Sequence, residues 1–257
     1  MIRHDITDNG IAELVIDNPP VNAFRLSDIA ELVTHLRSYH TDNRAHVVLL
    51  RAEGRGFCAG GDVKEVQDLP GFRGILGQAN GSQELTLAIS ECPVPVIAAI
   101  HGYCIGLGVL VAGVCDIILT AERTSFVLAE ADNGATSGIV QAAGLLPEKR
   151  LRAAMYTCEP FFAEELHAYG SVYRVVPAQQ LADTARDLAA PVAAKRTAVV
   201  RGLKAAINGS IARDIRKAYR QELSYTLELN MSGEAHDARG DFVEGRRSGY
   251  QHGSETQ

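Results

Sequence analysis

The possible folds of this chain are limited first by two short apolar runs, each of which is followed by a glycine-rich turn. Residues 46–51 and 94–100 have the length and the continuous hydrophobicity of strands that are buried on both faces. Residues 11–16 and 116–120 predict further strands, and apolar residues at helical spacing lie between the strands. Strands and helices that alternate in this way predict an α/β domain whose helices pack on its sheets.

Two other stretches depart from this alternation. Residues 68–82 contain four glycines and a proline, which predicts that this stretch includes a mobile loop. Beyond residue 195 the patterns are helical and rich in Ala, Leu and charged residues. We therefore predict an α/β core with the active site at residues 1–195 and a helical oligomerisation segment at residues 196–257.

Composition and charge limit the classes of function. The formal net charge is −6 and the basic residues are interspersed with acidic ones, which disfavours a nucleic-acid partner. The apolar runs are too short to span a bilayer and no signal peptide is evident, so we expect a cytoplasmic protein without a membrane partner. The five cysteines form no C-x-x-C pair, and we expect reduced thiols and no metal site.

The two glycine-rich turns are candidates for binding a negative charge. They comprise residues 58–62 (Cys-Ala-Gly-Gly-Asp) and residues 102–108 (Gly-Tyr-Cys-Ile-Gly-Leu-Gly). Glycines let the backbone approach a ligand, and the N–H groups at a helix start can hold a phosphate or a developing oxyanion. A dinucleotide fingerprint fails on spacing, because its third glycine would fall on Val111. Taken singly, either turn also fits tight packing alone.

Several blocks of sequence, in a fixed order, carry a family resemblance. They are residues 18–23 (Asn-Pro-Pro-Val-Asn-Ala), 56–65 (Gly-Phe-Cys-Ala-Gly-Gly-Asp-Val-Lys-Glu), 95–102 (Pro-Val-Ile-Ala-Ala-Ile-His-Gly) and 164–172 (Glu-Glu-Leu-His-Ala-Tyr-Gly-Ser-Val). With them the chain resembles the crotonase superfamily, also called the enoyl-CoA hydratase/isomerase family. The resemblance implies a crotonase-like spiral of strand–strand–helix units and a C-terminal helical segment that builds homotrimers or hexamers.

The resemblance also implies an enzyme with an oxyanion hole for a thioester carbonyl. Its two donors fall on the backbone N–H groups of Gly61 and Leu107. The proton α to a thioester is weakly acidic, and two preorganised donors stabilise the charge that appears on oxygen when it leaves. We expect this pair to stabilise the enolate of an acyl-coenzyme A.

The acid–base residues depart from the pattern of the family's hydratases, in which two glutamates hold a shared water. The second glutamate falls on Glu130, but the first falls on Leu110, which cannot accept a proton. Asp132 places another carboxylate two residues beyond Glu130. We predict that Glu130 is the main acid–base group, with Asp132 assisting or replacing it.

Coenzyme A is expected as part of the substrate, with no permanently bound cofactor. The resemblance assigns the coenzyme A contacts to Ala23, Phe24, Arg25, Ala59, Gly61, Asp62 and Val63. It also places Phe242, with Arg246 and Arg247, where the C-terminal helix reaches the ligand of a neighbouring subunit.

Three functions fit these observations. The first is hydrolytic opening of a ring C–C bond in a cyclic β-keto acyl-CoA, as in the family branch that opens the last rings in bacterial steroid breakdown, and it needs one carboxylate. The second is enoyl-CoA hydration or isomerisation, the family's commonest activities. The third is a non-catalytic oligomeric protein that binds coenzyme A or RNA, which the acidic charge and the intact glycine turns disfavour.

Overall fold

The protein is represented by a computed structural model that describes residues 1–211 and 214–246. The strands are β1 (Ile2–Ile6), β2 (Ile11–Ile16), β3 (Val47–Ala52), β4 (Val96–Ile100), β5 (Tyr103–Ile105), β6 (Ile117–Ala121), β7 (Ser125–Val127), β8 (Phe161–Phe162) and β9 (Arg174–Val176). The helices are α1 (Leu26–Ser38), α2 (Val63–Asp68), α3 (Arg73–Ser90), α4 (Leu107–Ala112), α5 (Ile139–Ala142), α6 (Glu148–Thr157), α7 (Ala163–Ala168), α8 (Leu181–Ala193), α9 (Thr197–Ile211), α10 (Ile215–Ser232) and α11 (Glu234–Val243). Single 3-10 turns lie at Ala131–Asn133 and Ala178–Gln180.

Two sheets are built by successive turns of the chain. The larger sheet has the order β1-β2-β3-β4-β6-β9 and is parallel except for the antiparallel β1–β2 pair. The smaller sheet has the order β5-β7-β8, and an isolated parallel bridge between Cys58 and Cys104 extends it towards the chain that follows β3. Each pass thus contributes one strand to the large sheet and then a short segment beside the small one. This is the predicted spiral of strand–strand–helix units.

The central strands are continuous apolar runs because both faces of the large sheet are covered. Val48 and Leu50 of β3 point into the larger core, which lies under α1, α3 and α4. Val47 and Leu49 point to the opposite face, where α8 covers them. Residues of α8 at a spacing of four, including Ala185 and Ala189, form the contact surface of that helix.

Residues 68–82, which were predicted to include a mobile loop, lie outside helices only at residues 69–72, because α2 ends at Asp68 and α3 begins at Arg73. The glycines of α3 serve close packing. A Cβ at Gly74 would lie 2.1 Å from the carbonyl oxygen of Val66, and one at Gly77 would lie 2.9 Å from Leu26 Cδ1. Glycine therefore lets α3 lie directly against α2 and α1, a gain that outweighs its low helix propensity.

The described part of the C-terminal segment, residues 196–211 and 214–246, is helical and packs on the same core. Lys204 of α9 is buried and donates to Asp116 Oδ2 at 2.7 Å and to the carbonyl oxygens of Ile89 and Val94. Tyr219 of α10 belongs to the larger core. Residues 212, 213 and 247–257 of the predicted segment, including Arg247, lie outside the described residues.

Candidate active site

The first candidate donor, the N–H of Gly61, is presented by a turn that β3 leads into. Phe24 clamps this turn from both sides, since its N–H donates to the Gly60 carbonyl at 2.8 Å and its carbonyl accepts from the Asp62 N–H at 2.8 Å. Gly60 has φ +100°, which a side chain would disfavour. Among the described residues nothing accepts from the N–H of Gly61, so this donor is available to a ligand.

The second candidate donor is the N–H of Leu107, at the start of α4. Gly106, with φ +50°, ends β5 and donates to the carbonyl of Val127 at 2.9 Å, which holds the turn against β7. A Cβ at Gly106 would lie 3.9 Å from Gly60 Cα, so the two turns are in contact. The N–H of Leu107 has no acceptor within the described parts of the chain. Two unpaired donors from separate turns therefore face one site, as an oxyanion hole requires.

Both turns line a mainly apolar cavity of about 610 Å³. Of the residues predicted as contacts, the wall includes Ala23, Arg25, Ala59, Gly61, Asp62, Val63, Leu107, Glu130 and Phe242. Its far side is made by residues of α3, α10 and α11 and of the loop before α5, among them Gln78, Ser82, Ser137, Tyr219, Thr226 and Arg239. The volume is that of an ordinary small-molecule site.

Glu130 lies between β7 and the 3-10 turn Ala131–Asn133, with its side chain on the cavity wall. It is 8% exposed, and its Oε2 atom has no hydrogen-bond partner among the described residues. Its Oε1 atom would lie 3.7 Å from a Cβ at Gly106, which places the carboxyl beside the second turn. Burial raises the pKa of Glu130 to about 8, and the nearby Glu222 carboxylate acts in the same direction. A carboxyl with this pKa can exchange protons near neutral pH.

Leu110, at the position of the missing glutamate, is buried on the cavity wall. It packs against Gly138, where a Cβ would lie 2.7 Å from Leu110 Cδ1. The position is therefore filled by a packed aliphatic side chain that can neither bind a water nor accept a proton from one.

Asp132 and Phe24 do not line the cavity of the described structure. Asp132 is half-buried, and its backbone N–H and that of Ala131 face the Cys158 thiol. The Phe24 side chain is fully buried in the core, so its contribution to the site is the backbone clamp. The periodicity of a single 3-10 turn explains the outcome for Asp132, because residues two apart do not share a face.

Asp62 and Arg25 stand at the mouth of the cavity. Asp62 is the N-cap of α2, with Oδ1 accepting from the N–H groups of Lys64 at 3.0 Å and Glu65 at 3.1 Å. The Arg25 guanidinium lies 4.0 Å from Asp62 Oδ2 and is about half exposed. The Asp62 carboxylate is thus committed to a helix cap, whereas the Arg25 head group remains partly open to solvent.

Phe242 lines the cavity of its own chain, and its contact with the ligand of a neighbouring subunit stays a prediction. The tight reversal at Gly233 brings it there, because it folds α11 back over α2 and the 3-10 turn Ala131–Asn133. A Cβ at Gly134 would lie 2.4 Å from Ala235 Cα, so α11 meets this turn without a gap.

Glu222 of α10 was not predicted, yet it holds the segment that follows the Glu130 turn. Its carboxylate accepts from the N–H groups of Gly138 at 2.7 Å, Ile139 at 3.0 Å and Val140 at 3.0 Å. Burial raises the pKa of Glu222. No local motif marks this residue, because its partners lie more than 80 positions earlier in the chain.

Two further properties of the described residues bear on function. No group of three or more His, Cys, Asp or Glu side chains in residues 1–211 and 214–246 is arranged to hold a metal ion. In the same residues, no helix has both the length and the hydropathy needed to cross a membrane.

A spiral of strand–strand–helix units whose cavity is lined by two glycine-rich turns indicates the class, and sequence comparison agrees. The chain belongs to the enoyl-CoA hydratase/isomerase family, whose pattern matches residues 6–253. The (7aS)-7a-methyl-1,5-dioxo-2,3,5,6,7,7a-hexahydro-1H-indene-carboxyl-CoA hydrolase of Rhodococcus jostii (strain RHA1) is 41% identical over 236 residues, 92% of either chain. The hydrolase of the same name from Mycobacterium tuberculosis (strain ATCC 25618 / H37Rv) is 38% identical over 91% of this chain and 95% of its own.

Solved structures agree on the fold. The crystal structure of an enoyl-CoA hydratase from Mycobacterium avium subsp. paratuberculosis K-10 superposes with a TM-score of 0.84, at 23% identity, and covers 97% of this chain and 98% of that one. The predicted family and fold class are therefore confirmed.

Proposed function

We propose that this chain is an acyl-CoA hydrolase that opens a ring C–C bond in a cyclic β-keto acyl-CoA. Two relatives at 41% and 38% identity, each matched over at least nine-tenths of its length, are named as CoA hydrolases acting on a bicyclic dioxo compound. A ring ketone β to the thioester is the group such a reaction needs. The unpaired donors and the buried carboxyl argue against a role in binding alone.

The chemistry requires one base and one oxyanion hole. Glu130 takes a proton from water as the water oxygen bonds to the ring ketone carbon. The bond from that carbon to the α carbon then breaks, and its electron pair becomes the thioester enolate. The N–H groups of Gly61 and Leu107 hold the enolate oxygen, and each such donor lowers the barrier by roughly 2.7–4 kcal/mol. Glu130 returns the proton to the α carbon. The former ketone carbon becomes a carboxylic acid at the other end of the opened chain.

One observation favours ring hydrolysis over simple hydration. Glu130 is buried on the wall of the cavity beside the Gly106 turn, and its Oε2 atom has no partner among the described residues, while Leu110 fills the place of the partner glutamate. A hydratase of this family holds its water between two glutamate carboxylates. In this chain Leu110 replaces one of these glutamates on the cavity wall. Ring hydrolysis needs only one.

The decisive experiment offers the enzyme two substrates. The first is 2-oxocyclohexane-1-carboxyl-CoA, whose hydrolysis yields the seven-carbon dicarboxylic thioester pimeloyl-CoA. The second is crotonyl-CoA. Both products gain one water, so the product structure must be solved by NMR. A new carboxylate from the ring substrate, with little turnover of crotonyl-CoA, is the expected result. Crotonyl-CoA turnover at a typical hydratase rate, without ring opening, would overturn the proposal in favour of hydration.

We also propose the binding arrangement around this reaction. Coenzyme A enters as part of the substrate along Ala23, Arg25, Ala59, Asp62 and Val63, which share one wall of the cavity. No permanent cofactor is required, because a base and two N–H donors supply the chemistry.

A homotrimer or hexamer is the proposed assembly, built with the helical segment that follows residue 195. On α9, Val199, Leu203 and Ile207 are 56%, 56% and 52% exposed and repeat at a spacing of four, which gives one apolar stripe. A cytoplasmic location is proposed because all five cysteines are free.

A further inference from the structure

Arg239 of α11 is a buried cation whose hydrogen-bond partners are all neutral. It is 7% exposed and forms part of the cavity wall. Nη2 donates to Asn230 Oδ1 at 2.8 Å, Nε to Gln67 Oε1 at 3.4 Å, and Nη1 to the Asn133 carbonyl at 3.5 Å. Within the described residues, no Asp or Glu oxygen lies within the 4.0 Å of an ion pair with it.

A buried guanidinium with only neutral partners is energetically unfavourable unless an anion compensates its charge. Burial lowers the pKa of Arg239, yet a guanidinium stays protonated in proteins. Of its five N–H donors, three are used and two of those bonds are long, which leaves two donors without a partner among the described residues and able to bind a ligand. Buried charges in proteins are normally paired, and the missing partner here is an anion.

Arg239 contacts the turn that follows Glu130, the proposed base. The carbonyl that it contacts belongs to Asn133, whose own N–H donates to the Glu130 carbonyl at 3.0 Å. Arg239 therefore rests on the turn that carries the proposed base. The contacts proposed for coenzyme A come instead from the chain before α1, from the turn before α2 and from Val63, the first residue of α2.

We propose that Arg239 binds the acyl-chain carboxylate that ring opening creates, and the ketone oxygen from which that carboxylate forms. This inference rests on the proposed hydrolysis, in which the ketone carbon becomes a carboxylate. A planar guanidinium with free N–H groups suits a carboxylate, which accepts two parallel hydrogen bonds. Arg239 is thus a specificity-determining residue that selects acyl groups with an oxygen function beyond the thioester.

The test measures binding, so that it does not depend on turnover. Pimeloyl-CoA and heptanoyl-CoA have equal chain lengths and differ in a terminal carboxylate. Wild-type enzyme should bind pimeloyl-CoA about 10- to 100-fold more tightly in calorimetry, as expected for a charge-assisted hydrogen-bond pair. Arg239→Met should lose most of this preference, Arg239→Lys should keep part of it, and the affinity for free coenzyme A should be the same in all three.

Arg216→Met is the matched control. Arg216 is exposed on α10 and pairs with Glu91 at 3.1 Å, so its replacement removes one positive charge away from the cavity and should leave the preference unchanged. Equal binding of the two thioesters by wild-type enzyme would overturn the inference, whether or not Arg239→Met folds. A loss of free coenzyme A affinity in Arg239→Met would overturn it as well, by assigning the guanidinium to a phosphate.

The two proposals fail differently. If the enzyme prefers pimeloyl-CoA through Arg239 but does not open 2-oxocyclohexane-1-carboxyl-CoA, the proposed hydrolysis is wrong and the carboxylate site at Arg239 stands. If the enzyme opens the ring but shows no such preference, the hydrolysis stands and the proposed role of Arg239 is wrong.

Discussion

Glu130 has the properties that a general base in this cavity needs. Its side chain is buried, one oxygen is unpaired among the described residues, and the other lies next to the second N–H turn. Asp132, only two positions later, does not line the cavity. We therefore expect Glu130, and not Asp132, to act as the base.

The first prediction separates these two carboxylates. Glu130→Gln keeps the shape of the side chain and removes proton transfer, so turnover of the ring substrate should fall about 10²–10⁴-fold. Asp132→Asn should keep near-normal turnover, and coenzyme A affinity should hardly change in either variant. Steady-state kinetics with the two purified variants measures both effects. A reversed pattern, with only Asp132→Asn inactive, would move the base to Asp132.

The second prediction concerns pH. A base works in its ionised form, and burial raises the pKa of Glu130 to about 8 from an ordinary value of 4.5. Since kcat/KM follows the free enzyme, it should rise as the pH increases from 6 and level off above about 8. The residual activity of Glu130→Gln should lack this rise. A profile that is already flat from pH 5.5 upward would contradict a buried Glu130 base.

At the scale of elements, the N-terminus of α2 connects the stability of the fold to the proposed oxyanion hole. Asp62 caps this helix, and the residue before it presents one of the two donors. Glu65, in the first turn of α2, accepts from the Leu26 N–H at 2.8 Å and so connects α2 to the start of α1. The Gly61 turn is thus held by side-chain capping bonds in addition to its backbone bonds with Phe24.

The third prediction follows from this cap. Asp62→Ala should cost about 1 kcal/mol of stability, because two helix N–H groups lose their acceptor. Its turnover should also fall as the Gly61 turn loosens. Asp62→Asn can still cap the helix and should retain most of the stability and the turnover. Thermal unfolding and kinetics of the pair provide the measurement. An inactive but stable Asp62→Asn would show that Asp62 takes part in proton transfer.

At the scale of the whole molecule, α9 has two faces with different partners. Buried Lys204 anchors one face to the core through Asp116, and the apolar stripe of Val199, Leu203 and Ile207 faces solvent in the single chain. Burial of such a stripe against a second copy would remove apolar area from water, which favours association.

The fourth prediction tests this stripe. Wild-type protein should elute as a trimer or hexamer in light scattering at micromolar concentration, and Leu203→Asp should shift it towards the monomer. Ala205→Asp adds the same charge at an exposed position on another side of α9 and should leave the assembly intact. A monomeric wild-type protein would contradict the proposed assembly, as would equal effects of the two variants.

The sequence by itself determined the parts of this protein that depend on neighbouring residues. Apolar runs predicted β3 and β4, because strands covered on both faces need hydrophobic side chains at successive positions, as at residues 47–50 and 96–100. Glycines predicted the two turns that carry Gly61 and Leu107, because Gly60 and Gly106 adopt positive φ. These signals lie within a few residues of the structure that they specify.

Only the tertiary structure decided which side chains meet in the cavity. Glu222 and Arg239 have no local motif, and the contacts of each include residues more than 80 positions away. The glycines of α3 predict a loop when only the sequence is considered, but in the structure they allow close packing against Leu26 and Val66. The physical reason is that hydrogen bonds within turns and helices are local, whereas burial and charge compensation depend on which distant elements the fold brings together.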